Sequence, residues 1–158
     1  MPSLRPAVPA DAPILAGMRY DFRATLGPPS EGRDAFVSRC AQWMAEALAS
    51  PDWRCWVALD DGGAIRGHLW LEIIPKIPNP VAEREAHAYI TNVFLDPVLR
   101  GHGLGERLMA TAMDWCRAER IDSVILWPTS RSRTLYERHG FAVRDDLMVA
   151  NLGERHLG

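Results

Sequence analysis

The succession of elements between residues 87 and 127 constrains the fold of this chain more than any other feature. The segment "HAYITNVFL" (His87–Leu95) is rich in β-branched and aromatic residues, which predicts a strand. A glycine-rich loop follows it, and then a helical stripe of apolar residues from Leu104 to about Arg120. The apolar run Ser123–Trp127 predicts a second strand, buried on both faces. A strand, a helix and another strand in this order indicate a right-handed parallel crossover.

The remaining segments complete a mixed sheet. The turn "DDGG" (Asp60–Gly63) joins the strand-like runs Trp53–Leu59 and Ala64–Ile74, which predicts an antiparallel hairpin. The other predicted elements are strands at Ser3–Val8 and Phe141–Leu152, the latter bent or divided in two, two amphipathic helices between Asp11 and Ser50, and a short helix at Ser132–Arg138. The order is β-α-α-β-β-β-α-β-α-β-β. We therefore predict an α/β fold with a mixed, mostly antiparallel central sheet of six to seven strands and helices on both faces.

Length, charge and cysteine content exclude several classes of protein. A chain of 158 residues with 47% hydrophobic and 24% charged residues predicts a single globular domain over residues 1–158. The net charge of −2 provides no basic field for nucleic acid. No apolar run approaches the roughly 18 residues of a membrane helix, so neither nucleic acid nor membrane is a predicted partner. Cys40, Cys55 and Cys116 fit no disulfide framework or zinc spacing, which indicates a cytoplasmic protein without a metal.

The segment "LRGHGLGERL" (residues 99–108) places three glycines within five positions, which regular structure disfavours. The dinucleotide pattern G-x-G-x-x-G fails because no small residue stands at its sixth position, and the Walker pattern lacks its Gly-Lys-Ser/Thr ending. The pattern Arg/Gln-x-x-Gly-x-Gly/Ala fits as Arg100-x-x-Gly103-x-Gly105. Such a turn before a helix either only reverses the chain or presents free amides and a partial positive charge to a pyrophosphate.

Two motifs carry a resemblance to a known family. "NVFLDPVLRGHGLGERLM" (Asn92–Met109) resembles motif A of the GNAT acetyltransferase superfamily, and "LYERHGF" (Leu135–Phe141) resembles the end of its motif B. The opening "LRPAVPADAPIL" (Leu4–Leu15) is similar to the usual first strand and helix. The resemblance covers nearly the whole chain. It implies an acyltransferase, specifically an N-acetyltransferase, with acetyl-CoA as cosubstrate and an amine on a small molecule or peptide as acceptor, and it allows a homodimer.

The resemblance also implies where acetyl-CoA binds. Backbone groups of Val93, Phe94 and Leu95 would pair with the pantetheine arm between two splayed strands, and the N–H near Leu95 would face the thioester oxygen. The pyrophosphate would lie on the backbone amides of Arg100, Gly101, His102, Gly103, Leu104 and Gly105. Thr129 and Ser132 are expected cofactor contacts, although many members carry asparagine and alanine there. Arg131 or Arg133 would either reach the 3′-phosphate or remain solvated.

The resemblance leaves more than one interpretation for each residue that could transfer a proton. Tyr136 stands where the family often has the tyrosine that protonates the leaving thiolate, and the alternative is a residue that packs under the sheet. Glu72 and His87 are the candidate bases, and a water molecule held nearby is the alternative to both. The family usually builds its acceptor pocket from the first two helices, their connecting loop and the last hairpin. Asp21, Asp145 and Asp146 fall in those elements and would suit a cationic amine.

Two other functions remain open from sequence. A non-catalytic sensor or regulatory module would keep the acetyl-CoA site of the fold and lose the proton chemistry. A nucleotide-binding domain unrelated to acetyl transfer would bind ATP or NAD without binding CoA, but both nucleotide templates fail on spacing.

Overall fold

The structure is a computed structural model that describes residues 1–153, and within them it contains one five-stranded sheet in the order β1-β2-β3-β4-β5. The strands are β1 (Ser3–Pro6), β2 (Trp53–Leu59), β3 (Ile65–Pro75), β4 (Ala86–Leu95) and β5 (Ser123–Ile125). The helices are α1 (Ala12–Ala24), α2 (Arg33–Ala49), α3 (Leu104–Ala118) and α4 (Arg133–Arg138), with short 3-10 turns at Pro9–Asp11 and Pro97–Leu99. Strands β1 to β4 are antiparallel neighbours and β5 pairs parallel with β4, which confirms the predicted mixed sheet and its parallel connection.

The helices cover both faces of the sheet, as the sequence predicts. Alternation along β2 sends Trp56 and Ala58 to one face and Cys55 and Val57 to the other. The first face packs against apolar residues of α3 and against Tyr136 of α4. The second face packs against α1 and α2. Each large apolar side chain buried in these two layers contributes on the order of 1.5–3 kcal/mol to the free energy of unfolding.

The predicted number of strands is wrong for the described residues, because Phe141–Leu152 forms no strand there. Strand β5 has only three residues and ends at Ile125, which leaves little edge for a further strand. Within the segment Phe141–Leu152, Arg144 makes a local ion pair with Asp146. Met148 is 94% exposed, so its apolar side chain does not pack against the sheet. Residues 154–158 of the predicted domain lie outside the described residues.

A β-bulge interrupts β4 next to the glycine-rich loop. His68 of β3 lies opposite Phe94, whereas Trp70 lies opposite Thr91, so β4 contains one more residue than β3 in this interval. Asn92 adopts a left-handed backbone conformation there, with φ of 52°. The ring Nδ1 of His68 donates to the backbone oxygen of Asn92 at 2.7 Å, and Arg19 donates to its side-chain oxygen at 3.1 Å. The bulge is thus held from a neighbouring strand and from α1.

We expect the free energy of unfolding to fall as pH decreases from about 6.5 to about 4, because His68 is buried. Burial lowers the pKa of His68 from 6.5 to about 4, an effect that the bond to Asn92 partly opposes. The unfolded chain therefore binds more protons across this interval, which costs the folded state up to roughly 3 kcal/mol. Urea unfolding of the wild type and of His68→Phe at pH 7 and pH 4.5 measures the effect. The free energy of unfolding of the wild type minus that of His68→Phe should become smaller at the lower pH. A parallel decline of both proteins would contradict the assignment to His68.

Candidate functional site

The pairing between β4 and β5 stops part of the way along β4. It joins His87 to Ser123, Ala88 to Val124 and Tyr89 to Ile125, and no further pair follows. Among the described residues, no strand therefore lies beside residues 90–95 on the edge of β4 that faces away from β3, and this edge includes Val93, Phe94 and Leu95. The two strands leave an opening where the resemblance places the pantetheine arm, so an extended ligand can add to this edge through its amides.

The loop after β4 has the backbone geometry that is typical of an anion-binding loop. Gly101 and Gly103 have φ of 80° and 72°, a left-handed conformation that side chains with a Cβ rarely adopt. A Cβ at either position would meet no heavy atom of residues 1–153 within 4 Å, so conformation rather than crowding requires glycine. Gly103 is the N-cap of α3, and no side chain in the described part of the chain caps the N-terminus of this 15-residue helix. Its first-turn amides and the positive end of its dipole are available to a pyrophosphate.

The residues of this loop lie in different environments. The guanidinium of Arg100 folds back and donates to the backbone oxygen of Leu95 at 3.1 Å, so its charge lies where the β4 edge meets the loop. His102 is exposed, whereas Leu104 is buried and anchors the start of α3. Gly105 lies within α3, where a Cβ would contact Leu135 of α4 at 3.8 Å. The fold-back of Arg100 is a feature that sequence spacing did not reveal.

Tyr136 packs under the sheet and also lines a cleft. It is 7% exposed and lies against Phe141, with ring centroids 6.0 Å apart. Burial raises the pKa of its phenol, and a hydrogen bond with Ser132 lowers it in part. A cleft of about 490 Å³ opens beside it between β5, α4 and residues 141–147. The packing role and the acid role are therefore compatible, because a raised pKa keeps the phenol protonated at neutral pH.

Thr129 and Ser132 bond to each other before α4. Their hydroxyl oxygens lie 2.8 Å apart, and the amide of Thr129 donates to the Ser132 hydroxyl at 3.0 Å. Arg133 makes an ion pair with Glu137 one helical turn later. These contacts fix the turn before α4. They also use part of the hydrogen-bonding capacity that Thr129 and Ser132 would need to contact a cofactor.

The two candidate bases lie on the sheet face that α1 and α2 cover. Glu72 of β3 lies directly opposite Tyr89, and His87 lies opposite Ile74 in the next pair on that face. Opposite residues in such a pair have Cβ atoms roughly 5 Å apart, and diagonal neighbours roughly 7–8 Å. His87 already makes a hydrogen bond between its Nδ1 and the hydroxyl of Ser123. Within residues 1–153, no group of three or more His, Cys, Asp or Glu side chains could hold a metal ion.

A second cleft of about 490 Å³ lies on this same face, between the sheet and helices α1 and α2. Its floor includes Trp53, Trp70 and Tyr89, and it reaches the bulge at Asn92. The acidic residues expected around the acceptor do not line it. Asp21 makes an ion pair with Arg33, and Asp146 makes one with Arg144. The lining instead contains Arg19 and a group of tryptophans, which sequence patterns alone did not bring together.

Comparison with known proteins identifies the family of this chain. Residues 20–141 match the model of the acetyltransferase (GNAT) family, which is most of the chain, and the chain belongs to that family. A curated relative, mycothiol acetyltransferase from Beutenbergia cavernae, is 37% identical over 134 residues. The match covers 80% of this chain but only 40% of that protein, so the chain spans well under half of the relative's length.

Solved structures share the fold. A predicted acetyltransferase from Clostridium acetobutylicum, crystallised with acetyl-CoA, superposes with a TM-score of 0.80 at 20% identity, over 99% of this chain and 100% of that one. A GCN5-related N-acetyltransferase from Ralstonia eutropha superposes with a TM-score of 0.77 at 24% identity, over 97% of this chain and 100% of that one. In the described part of the chain, no helix is long and apolar enough to cross a membrane.

Proposed function

We propose that this chain is an N-acetyltransferase that moves an acetyl group from acetyl-CoA to an amine. The observation that carries the proposal is the continuity between the unpaired edge of β4, the left-handed glycines of the loop and the uncapped start of α3. Membership of the acetyltransferase family and the acetyl-CoA bound in the Clostridium relative support the same donor. The residues present fit that donor, since a pantetheine needs an open strand edge and a pyrophosphate needs free amides.

The chain's residues would hold the donor mainly through backbone groups. Acetyl-CoA supplies the activated acetyl thioester. The stretch Val93–Leu95 would pair with the pantetheine, and residues 100–105 would donate amides to the pyrophosphate. The N–H near Leu95 would stabilise the negative charge that develops on the thioester oxygen. Arg100 is already fixed against Leu95 and would add positive charge between these two subsites.

In the transfer the acceptor nitrogen loses two protons and the leaving sulfur gains one. The amine must arrive neutral, so its ammonium proton passes to Glu72, to His87 or to a water molecule that they hold. The amine nitrogen then forms a bond to the acetyl carbon as the carbon–sulfur bond breaks, and the sulfur leaves as a thiolate. Tyr136 would donate a proton to that thiolate, and its raised pKa keeps the proton available at neutral pH. The nitrogen carries one proton too many after the attack, and this second proton would return to the Tyr136 phenolate and restore the acid. The products are the N-acetylated amine, CoA and one released proton.

Titration with acetyl-CoA, followed by measurement of released CoA thiol with a broad panel of amines, tests this proposal. We expect saturable acetyl-CoA binding and turnover with at least one class of amine, with the acetylated product identified by mass spectrometry. Binding without turnover across the panel would favour the alternative, a non-catalytic acetyl-CoA sensor. Absence of acetyl-CoA binding would contradict both functions.

A further inference from the structure

The cleft under α1 and α2 carries positive charge where an acceptor for acetyl transfer would enter. Arg19 of α1 and Arg39 of α2 line it, and no Asp or Glu belongs to its described lining. Arg39 is exposed and makes an ion pair with Glu31 at 2.6 Å, so its charge is compensated. The two arginines therefore differ, and Arg19 is the one whose charge lacks an acidic partner in the described residues.

Arg19 is half-buried, and its hydrogen-bond partner is a neutral amide oxygen, that of Asn92 at 3.1 Å. Burial lowers its pKa, and the nearby charge of Arg23 lowers it further, but a guanidinium remains charged at any physiological pH. A guanidinium carries five N–H donors, so the one bond to Asn92 leaves most of them for another partner. A partly desolvated cation with no carboxylate nearby gains from an anionic ligand more than a solvated one does.

The rest of the cleft is aromatic. Trp43, Trp53 and Trp70 contact one another, with ring centroids 5.1, 6.2 and 6.1 Å apart. Trp43 is 48% exposed although it belongs to this cluster, so it presents a large apolar surface to whatever enters. The volume of about 490 Å³ accommodates an aromatic side chain together with a polar head group.

The position of Arg19 relates the anion to the reacting amine. Arg19 is bound to Asn92, and Asn92 immediately precedes the Val93–Leu95 stretch that would hold the thioester end of the donor. An anionic group on Arg19 would therefore lie near the part of β4 where the amine attacks the acetyl carbon. An α-amino acid carries a carboxylate on the carbon next to its amine, whereas a peptide N-terminus or a simple alkylamine has no carboxylate there.

We propose that the cleft binds an α-amino acid with an aromatic or large apolar side chain, its carboxylate on Arg19 and its side chain against the tryptophans. This inference rests on the proposed N-acetyltransferase function, whose acceptor it specifies. It replaces the expectation of a cationic amine held by acidic residues.

The test compares three amines that differ at one group: L-tryptophan, L-tryptophanamide and tryptamine. For the wild type, we expect kcat/KM to be highest for L-tryptophan. Arg19→Gln should lower that value about 10- to 100-fold and change the value for tryptamine less than about 3-fold, since a hydrogen bond to a charged group is lost only for the carboxylate. Arg19→Lys should recover part of the loss. Arg33→Gln, which removes an arginine outside the cleft, should leave all three values unchanged.

Two further measurements separate this inference from the function on which it rests. The Kd of acetyl-CoA should be unchanged in Arg19→Gln, which shows that the bulge is intact, and L-tryptophan binding in the presence of CoA is measured by calorimetry. Turnover that is as fast with tryptamine as with L-tryptophan, or that falls equally for both in Arg19→Gln, overturns the inference and leaves the acetyltransferase proposal standing. L-tryptophan that binds through Arg19 without turnover of any amine supports the inference and contradicts the acetyltransferase proposal.

Discussion

Gly103→Val is expected to raise the Kd of acetyl-CoA at least about 100-fold while the protein remains folded. Valine at φ of 72° is strained by roughly 1–3 kcal/mol, so the loop would move to a conformation with negative φ. That change would reorient the backbone amides at the start of α3. Loss of two hydrogen bonds to a charged phosphate, each contributing about 1.5–3 kcal/mol, accounts for an effect of this size. Calorimetric titration with acetyl-CoA measures it.

Gly63→Val is the matched control. Gly63 also has a left-handed backbone, with φ of 82°, and a Cβ there would likewise meet no heavy atom of the described residues within 4 Å. It lies, however, in the hairpin turn between β2 and β3. The two variants should lose similar amounts of stability in thermal unfolding, and only Gly103→Val should lose acetyl-CoA affinity. An unchanged Kd in Gly103→Val would show that the loop is only a turn.

Tyr136→Phe is expected to lower kcat about 100-fold or more and to leave the Kd of acetyl-CoA nearly unchanged. General acid catalysis typically contributes a factor of 10²–10⁴, and phenylalanine keeps the ring in its packed position. The acid role also predicts that the defect shrinks when the acetyl donor has a more acidic thiol, because such a thiolate leaves without protonation. Steady-state kinetics with acetyl-CoA and with an aryl thioester donor measure both effects.

Phe141→Leu tests the packing explanation for the same site. Phe141 packs against the Tyr136 ring but has no ionisable group, so its replacement disturbs the contact and preserves the phenol. We expect a lower melting temperature and little change in kcat for this variant. If Phe141→Leu reduces kcat as much as Tyr136→Phe does, or if Tyr136→Phe retains full turnover, Tyr136 is a structural residue.

Most of the fold follows from local sequence signals. Strand β2 has the predicted limits because the hairpin turn after it marks its end, and α3 follows from one apolar stripe after the glycines. The segment Phe141–Leu152 shows the limit of this reasoning. Its residues have strand propensity, but a strand also needs a neighbour with unpaired backbone groups, and β5 is only three residues long. Pairing partners of that kind are a tertiary property, which no local pattern contains.

The candidate site divides in the same way. The left-handed glycines are predictable because glycine is the residue that tolerates that backbone without strain. The left-handed Asn92 and the bonds from His68 and Arg19 to it were not, since they join residues separated by 24 and 73 positions. The cleft under α1 and α2 likewise depends on tryptophans from one helix and two strands. Side chains that converge from distant segments become visible only in the folded chain.

A crystal structure of the protein with bound CoA tests the central claim most directly. We predict that the pyrophosphate oxygens accept hydrogen bonds from the backbone amides of residues 100–105, and that the pantetheine lies along Val93–Leu95 with its amides paired to β4. A pyrophosphate held elsewhere, for example by Arg131 and Arg133, with these amides and this strand edge free of ligand would contradict the claim.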